Sequence, residues 1–326
     1  MKKILFLLIA FVFCAALVAC SPQNQAVPTE GLEYRLLEDG TYEVSGIGSA
    51  TDFDIVIPAT YNEKDVTAIG NGAFRACYNL TSITISKGIK TVGENAFSEC
   101  TSIKNITLPN TLESIGRDAF LGCSSLVYNE YEGARYLGST TNPYLALVSA
   151  ESTDITSCKI NKSTKFICNR AFFLCSSLAD VEIPSKVAYI GSGAFQGCSS
   201  LTSVTLPSGI ISIEDGTFTG CASLTSITVP KNVTSIGAHA FEGCSSLESV
   251  SLSEGLKTIK YFAFSNCTSL KDIYLPGSVS TVESYVFYSC NALLTVNCGA
   301  QAQGEYWAFD WLGDSTAAVN YGVEHP

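Results

Sequence analysis

A 23-residue pattern recurs through most of the chain and restricts it to a repeat architecture. One clear copy spans residues 190–207. All nine copies begin with an isoleucine or a valine, namely Ile69, Val92, Ile115, Ile167, Ile190, Ile213, Ile236, Ile259 and Val282. Seven of the eight intervals are 23 residues, and the interval from Ile115 to Ile167 is 52. Such repeats stack as rungs, because one rung cannot bury its apolar side alone. We therefore expect one elongated domain.

Each rung contains two kinds of apolar spacing, and they predict different local structures. Between residues 190 and 201 the apolar positions are separated by four, four and three residues, which is typical of a short helix. From 201 to 206 they alternate, which indicates a short strand that Pro207 ends, because proline cannot donate to a strand ladder. A second short extended piece covers 211–213. The prediction is a strand-dominated solenoid of short parallel strands with a short helix in each rung.

The residue types at these positions carry a family resemblance. Leu-x-x-Ile-x-Leu-Pro followed by Ile-Gly-x-x-Ala-Phe-x-x-Cys resembles the BspA-like (Treponema pallidum-type) leucine-rich repeat over about residues 32–298. The resemblance implies a leucine-rich repeat solenoid and a surface protein of a microbial cell. Several members of this family are described as adhesins. The resemblance therefore implies that the partner is a host matrix protein or a cell-surface protein.

The first 19 residues have the pattern of a lipoprotein signal peptide. Lys2 and Lys3 precede 15 consecutive apolar residues, and a bilayer-spanning helix needs about 20. The run ends in Leu-Val-Ala-Cys, which resembles a lipobox and implies that Cys20 is lipidated. An ordinary signal peptide or an uncleaved anchor is the alternative. We expect removal of residues 1–19, a polar tether over 20–31, and an extracytoplasmic protein anchored by lipid to a membrane, at the cell surface or on the outer membrane.

Both ends of the repeat region depart from the pattern and are predicted to be caps. Residues 32–68 contain alternating apolar positions around Asp39-Gly40, a hairpin turn signal, followed by a partial rung. Residues 69–298 form the solenoid. Residues 299–326 contain the two tryptophans of the chain, Trp307 and Trp311, around a degenerate tenth Ala-Phe pair at 308–309. The tryptophans close the end of the core in one interpretation and form an aromatic ligand platform in the other.

The cysteines indicate a buried column rather than a metal or redox site. Nine of the 14 occupy one apolar position of the rung, namely Cys77, Cys100, Cys123, Cys175, Cys198, Cys221, Cys244, Cys267 and Cys290. Zinc sites require closely spaced C-x2–4-C pairs, and no such pair occurs in the sequence. We therefore expect buried thiols and no metal. Cys158 also falls on a core position. Cys168 replaces the glycine of the repeat, so its side chain is either exposed to solvent or buried.

The long interval contains an insertion at residues 127–154 with several tyrosines. Residues 134–138 and 144–148 are predicted to be two strands. The hairpin either protrudes as a recognition element or packs as a flap on the side of the solenoid. Residues 126 and 155 match the same repeat position, so we expect the insertion to supply no core residue and to be dispensable for folding. Its candidate contact residues are Tyr128, Tyr131, Tyr136 and Tyr144.

The outward positions of the main strand provide a second candidate binding face. Exposed threonines are also simply good strand formers, so this column need not bind anything. Its members are Thr84, Thr107, Lys159, Glu182, Thr205, Thr228, Ser251, Tyr274 and Asn297.

Composition narrows the classes of function. The net charge is −11, or −13 after loss of the two signal-peptide lysines, which argues against a nucleic-acid partner. The chain has two histidines and no Gly-rich phosphate loop, so we expect no catalytic activity and no cofactor. The favoured function is binding of a macromolecular partner in adhesion or protein–protein interaction. A structural or assembly role in the cell envelope and a glycan-binding module are the alternatives.

Overall fold

The computed structural model describes residues 27–324, which form a solenoid of about 12 turns built from 26 short strands. Residues 1–26, which include Cys20, and residues 325–326 lie outside this range. Within residues 27–324 there is no helix of any kind, and hence no helix that could cross a membrane. The predicted leucine-rich repeat solenoid of parallel strands is confirmed, with about 12 turns instead of the nine recognisable copies.

The first column of strands coincides with the predicted Leu-x-x-Ile-x-Leu segments. These strands pair in parallel, one rung to the next, in four short sheets. The sheets are β3 (Asp54–Ile57), β6 (Ser82–Ile85) and β8 (Asn105–Thr107); β13 (Ser157–Lys159) and β15 (Asp180–Glu182); β18 (Ser226–Thr228) and β20 (Ser249–Ser251); and β22 (Asp272–Leu275), β24 (Thr295–Cys298) and β26 (Ala318–Tyr321). Along most of these strands the inward side chains are buried, and Val250 and Val319 are half-buried, which gives the column one apolar and one outward face.

The second column contains mostly two-residue strands around the first isoleucine of each rung, and it forms three sheets. The first has β1 (Glu33–Leu36), β2 (Tyr42–Gly46), β4 (Thr60–Tyr61), β5 (Lys64–Ile69), β7 (Thr91–Val92) and β9 (Ser114–Ile115). The second has β10 (Asn129–Tyr131), β11 (Ala134–Leu137), β12 (Ala146–Ala150), β14 (Phe166–Ile167) and β16 (Tyr189–Ile190). The third has β17 (Ser212–Ile213), β19 (Ser235–Ile236), β21 (Thr258–Ile259), β23 (Thr281–Val282) and β25 (Tyr306–Trp307).

The segment predicted to be a short helix forms two consecutive turns instead, so that prediction is wrong. In one representative rung Gly193 and Gly197 have φ of 63° and 78°, and the same two positions have positive φ in all nine rungs. A left-handed backbone conformation raises the energy of an L-residue, and a right-handed helix cannot contain such a residue at every fourth position. Hydrogen bonds alternate accordingly. The N–H of Phe195 donates to Thr217 of the next rung, and that of Gln196 donates back to Gly193.

A column of phenylalanine rings runs through the core behind these turns. Neighbouring rings are nearly parallel, with centroids 5.2–5.9 Å apart. The column has two parts, Phe74, Phe97 and Phe120, and then Phe172, Phe195, Phe218, Phe241, Phe264 and Phe287. The buried apolar residues divide into two clusters around these parts. The insertion therefore interrupts the core as well as the sequence repeat.

The cysteine column is buried beside the phenylalanines, as the sequence predicts, except that Cys77 is half-buried. In seven rungs the thiol donates to the carbonyl of the phenylalanine one rung earlier, with Sγ···O distances of 2.9–3.3 Å. Cysteine is small and apolar yet carries one donor, so it fills this position and satisfies a buried carbonyl. Cys158 and Cys168 are also buried, which answers the open question about Cys168.

The two ends of the solenoid are closed by different elements. At the N-terminal end β1 and β2 pair antiparallel around Asp39-Gly40. At the other end Trp307 pairs with Val282 and so takes the isoleucine position of a final turn. Trp307 and Trp311 are buried, with ring centroids 5.2 Å apart, whereas Phe309 is 95% exposed. The predicted Ala-Phe pair at 308–309 therefore does not occupy the Ala-Phe position of the last turn, and that prediction is wrong. The interval from Val282 to Trp307 is 25 residues instead of 23.

The thiol column predicts a loss of stability at alkaline pH. Burial raises the pKa of Cys100 to about 11 and of Cys198 and Cys244 to about 12, against about 8.5 in an unfolded chain. The unfolded chain therefore loses these protons first as the pH rises. The stability they contribute is complete below about pH 8.5 and is lost progressively between there and about pH 12. We expect the urea midpoint to fall between pH 8 and pH 10.5.

Tyrosine and lysine side chains ordinarily titrate in this range too. The contribution of the thiols is therefore measured by comparing the parent with a variant that lacks three of them. Replacing Cys198, Cys221 and Cys244 with alanine should lower stability at pH 8, because it removes three thiol–carbonyl hydrogen bonds. It should also flatten the pH dependence. Equal slopes for the variant and the parent between pH 8 and pH 10.5 would contradict the thiol assignment.

Candidate partner-binding surfaces

The outward column of the main strands is flat and weakly charged. Six of the nine predicted positions are exposed, whereas Thr107, Tyr274 and Asn297 are half-buried. Register brings neighbouring members side by side, as in the pairing of Lys159 with Glu182, whose Nζ and Oε2 atoms lie 3.0 Å apart. The face is not continuous, because Thr205 lies in a segment that forms no strand. It offers mostly short polar side chains, and shallow depressions adjoin it at Thr107 and at Ser251 with Tyr274.

The insertion does not protrude from the solenoid but forms an additional turn of it. Strands β10, β11 and β12 pair antiparallel, and Leu147 of β12 then pairs in parallel with Ile167 of the next rung. Tyr136 is fully buried, and its hydroxyl accepts a hydrogen bond from the N–H of Asn161 at 3.4 Å. The expectation that residues 127–154 supply no core residue is therefore wrong.

The four tyrosines of the insertion do not form a common exposed surface. Tyr131 and Tyr144 are half-buried, with ring centroids 5.6 Å apart, and Tyr144 packs edge-on to the buried Tyr136. Tyr128 is also half-buried, with the Arg135 guanidinium 6.0 Å from its ring centroid, and burial raises its pKa to about 12. Most of this aromatic area is used in packing the added turn.

A third surface, which the sequence analysis missed, lies on the turns near the C-terminal end. The rings of His239, Phe262 and Tyr285 stack across three consecutive rungs, with centroids 5.3 Å apart at each step. Tyr261 packs edge-on to His239, and Tyr288 packs edge-on to Phe262 and Tyr285. We call these five residues the aromatic stack. Its three tyrosines are exposed and its other two members are half-buried.

Backbone conformation makes this arrangement costly. His239, Phe262 and Tyr285 occupy the first positive-φ position of their rungs, with φ of 56–59°. Other rungs have Gly72, Gly193 or Gly216 at this position. A non-glycine residue there costs of order 1 kcal/mol or more. Because the aromatic residues lie on the surface, core burial does not account for them. The signal in the sequence was a ring side chain at this position in three successive rungs, where the other six rungs have glycine, asparagine, aspartate or arginine.

Carboxylates surround the aromatic stack. Glu242 Oε2 lies 2.7 Å from Nδ1 of His239, and Glu283 Oε2 accepts the N–H of Tyr261 at 3.0 Å. A shallow groove beside the stack is lined by Tyr285 and Tyr306 together with Glu283 and Glu305. Aromatic faces and carboxylates both attract cations, so this surface is complementary to a partner with basic side chains.

The chain belongs to the BspA-type leucine-rich repeat family. The model of the BspA type leucine rich repeat region matches in six copies, over residues 55–140, 149–242 and 212–309. These matches include both sides of the insertion and nearly all nine rungs. Proteins of this class are generally binding scaffolds. No curated protein sequence matches the chain.

Solved structures with the same repeat include three from bacteria. A leucine-rich repeat protein of Bacteroides ovatus is 27% identical, with 91% of this chain and 71% of that chain covered and a TM-score of 0.43. The T. pallidum leucine-rich repeat protein is 27% identical, with coverage of 68% and 91% and a TM-score of 0.40. A leucine-rich cell surface protein of Faecalibacterium prausnitzii is 24% identical, with coverage of 92% and 95% and a TM-score of 0.35.

The burial of the insertion makes its removal a test of the added turn. We expect deletion of residues 127–154 to lower the urea midpoint strongly, because it exposes the ends of both core clusters. Tyr136→Ala alone should cost about 3–5 kcal/mol by leaving a cavity. Glu130→Ala, an exposed change on the same hairpin, should stay within about 0.5 kcal/mol. A deletion variant as stable as the parent would show that the insertion is dispensable.

Proposed function

We propose that this protein is a lipid-anchored, extracytoplasmic scaffold that binds a macromolecular partner, such as a host matrix or cell-surface protein. The observation that carries the proposal is the aromatic stack. It places three exposed tyrosines, with Phe262 and His239, on consecutive rungs at a cost in backbone strain. Tyrosine is enriched where protein interfaces hold most of their binding energy. The surrounding carboxylates favour a partner segment with basic side chains.

The proposal assigns no catalytic role to the chain. His239 is the only histidine among residues 27–324, and it is held between Glu242, Tyr261 and Phe262. Among residues 27–324 the ring of His239 contacts no serine or cysteine side chain that could act as a nucleophile. Within the same range no group of three or more His, Cys, Asp or Glu side chains is placed to hold a metal ion. Membership in a family of repeat scaffolds agrees with a binding function.

Membrane attachment rests on the sequence at Cys20. The apolar run before it and the polar segment after it fit a processed lipoprotein whose solenoid is separated from the bilayer by a short tether. We expect Cys20→Ser to release the protein from the membrane or to block its processing, because the lipid would have no attachment site. Detergent-phase partitioning and the mass of the N-terminal peptide measure this. Unchanged partitioning of Cys20→Ser would favour an uncleaved anchor instead.

The binding surface is identified by two opposing sets of substitutions. The full-length protein in detergent is tested against immobilised host matrix proteins and against a cell-envelope extract. Phe262→Gly with Tyr285→Gly should abolish capture, because it removes two rings of the aromatic stack. The fold should be retained, because glycine adopts the positive φ of both positions at least as easily. Asn95→Gly, at the equivalent position of a distant rung, is the matched control. Thr205→Arg, Thr228→Arg and Ser251→Arg together test the outward strand column.

Each result assigns the surface differently. Loss of capture only with the two glycine substitutions supports the aromatic stack. Loss only with the three arginine substitutions moves the partner to the strand column. Capture from envelope extract alone favours a structural or assembly role in the envelope. Absence of any captured partner contradicts the recognition function.

A further inference from the structure

One rung lacks the hydrogen bonds that join every other rung to its successor. In the other eight rungs the N–H groups of the first positive-φ residue, the phenylalanine and the second positive-φ residue donate to acceptors of the following turn. In a representative rung these bonds run from Gly193, Phe195 and Gly197, with N···O distances of 2.7–3.0 Å. Among residues 27–324, the equivalent N–H groups of Asp118, Phe120 and Gly122 have no acceptor in the protein.

The insertion is the cause of this gap. Strand β12 continues through Val148, where the register shifts by one residue, and pairs with β11 again at Ser149, where a regular rung would turn and offer its carbonyls. A cleft of about 210 Å³ remains between the rung that begins at Ile115 and the one that begins at Ile167. This volume is smaller than that of pockets for drug-sized ligands, and it suits a small ionic group. Leaving N–H groups unpaired in such a partly enclosed place is costly, unless a ligand or solvent accepts from them.

The groups around the cleft are mainly hydrogen-bond donors. Asp118 and Gly122 have φ of 55° and 76°, as the equivalent residues of every rung do, and in the other rungs this conformation directs alternate N–H groups towards the next turn. Arg170 lines the opposite wall, and its guanidinium lies 5.8 Å from the ring centroid of Phe173. Burial raises the pKa of the Tyr128 hydroxyl and of the Cys168 thiol to about 12, so both stay neutral near pH 7.

We propose that this cleft binds a carboxylate group, supplied either by a small organic acid or by the free C-terminus of a peptide. Three N–H groups in the cleft, together with the positive charge of Arg170 at its wall, match two carboxylate oxygens with their several lone pairs. A phosphate dianion fits less well, because the cleft is lined by a single cationic residue, and the carboxylates of Asp118 and of Glu99 beside Gly122 oppose added negative charge. This site is separate from the aromatic stack and does not depend on the proposed function.

Two substitutions should move affinity in opposite directions without disturbing the fold. Arg170→Gly removes the guanidinium and places glycine where Gly72, Gly193 and Gly216 stand in other rungs. Asp118→Asn removes the opposing charge and places asparagine where Asn95 stands. We expect Arg170→Gly to weaken carboxylate binding by about tenfold and Asp118→Asn to strengthen it several-fold. Asn95→Gly is the control for an altered positive-φ position elsewhere.

The experiment is a titration followed by amide NMR of the ¹⁵N-labelled full chain in detergent. The probes are sodium acetate, N-acetyl pentaalanine with a free C-terminus, and the same peptide as its C-terminal amide. We expect saturable shifts of the Asp118, Phe120 and Gly122 amides with a carboxylate probe and none with the amide. Acetate and peptide binding equally well identifies a general carboxylate site. A clear preference for the peptide identifies the terminus as the source.

Three results would overturn the proposal. The first is equal binding of the amidated peptide, which would mean that the carboxylate is not recognised. The second is the absence of saturable shifts at these three amides up to roughly 100 mM probe, well beyond a millimolar dissociation constant. The third is binding that is unchanged by both Arg170→Gly and Asp118→Asn. None of these results bears on capture of a protein partner by the aromatic stack.

Discussion

The structure depends on hydrogen bonds between the turns of successive rungs. In eight of the nine rungs, alternate N–H groups in the pair of turns donate forward to the next rung, and the others close the turns within their own rung. This alternation requires a positive φ at two positions four residues apart, which is met in all nine rungs. The inward residues between them are thereby stacked at rung spacing. The parallel phenylalanine rings and the thiol–carbonyl bonds of the cysteine column both follow from that registration.

Much of the fold could be predicted from the repeat, whereas the turns could not. Alternation from Leu201 to Leu206 and the isoleucine at each rung start predicted parallel strands and a shared core. The spacing of Ile190, Ala194 and Cys198 is common to a helix and to two successive turns, so apolar periodicity alone could not separate them. Glycine at positions 193 and 197 favoured the turns, because a helix has no use for a left-handed residue every fourth position.

Elements outside the repeat were less predictable, for identifiable physical reasons. The burial of Tyr136 depends on parallel pairing between β12 and β14, which only the folded arrangement brings together. Trp307 takes an isoleucine position because the final interval is 25 residues, and the Ala-Phe dipeptide at 308–309 suggested a different register. The aromatic stack requires comparison of a single variable position across rungs. A search for apolar stripes does not include that position, because it faces outward.

Both candidate sites lie where the chain departs from its own repeat. A regular rung satisfies its N–H groups with the next rung and places glycine or a polar residue at the first positive-φ position, which leaves nothing for a ligand. The aromatic stack departs in side chain only, so the hydrogen bonds between rungs persist beneath it and hold the rings in register. The cleft departs in backbone, so it gains unpaired donors and loses the continuity of the core. A repeat scaffold can thus carry two independent kinds of recognition. One depends on the regular spacing of the rungs, and the other on its interruption.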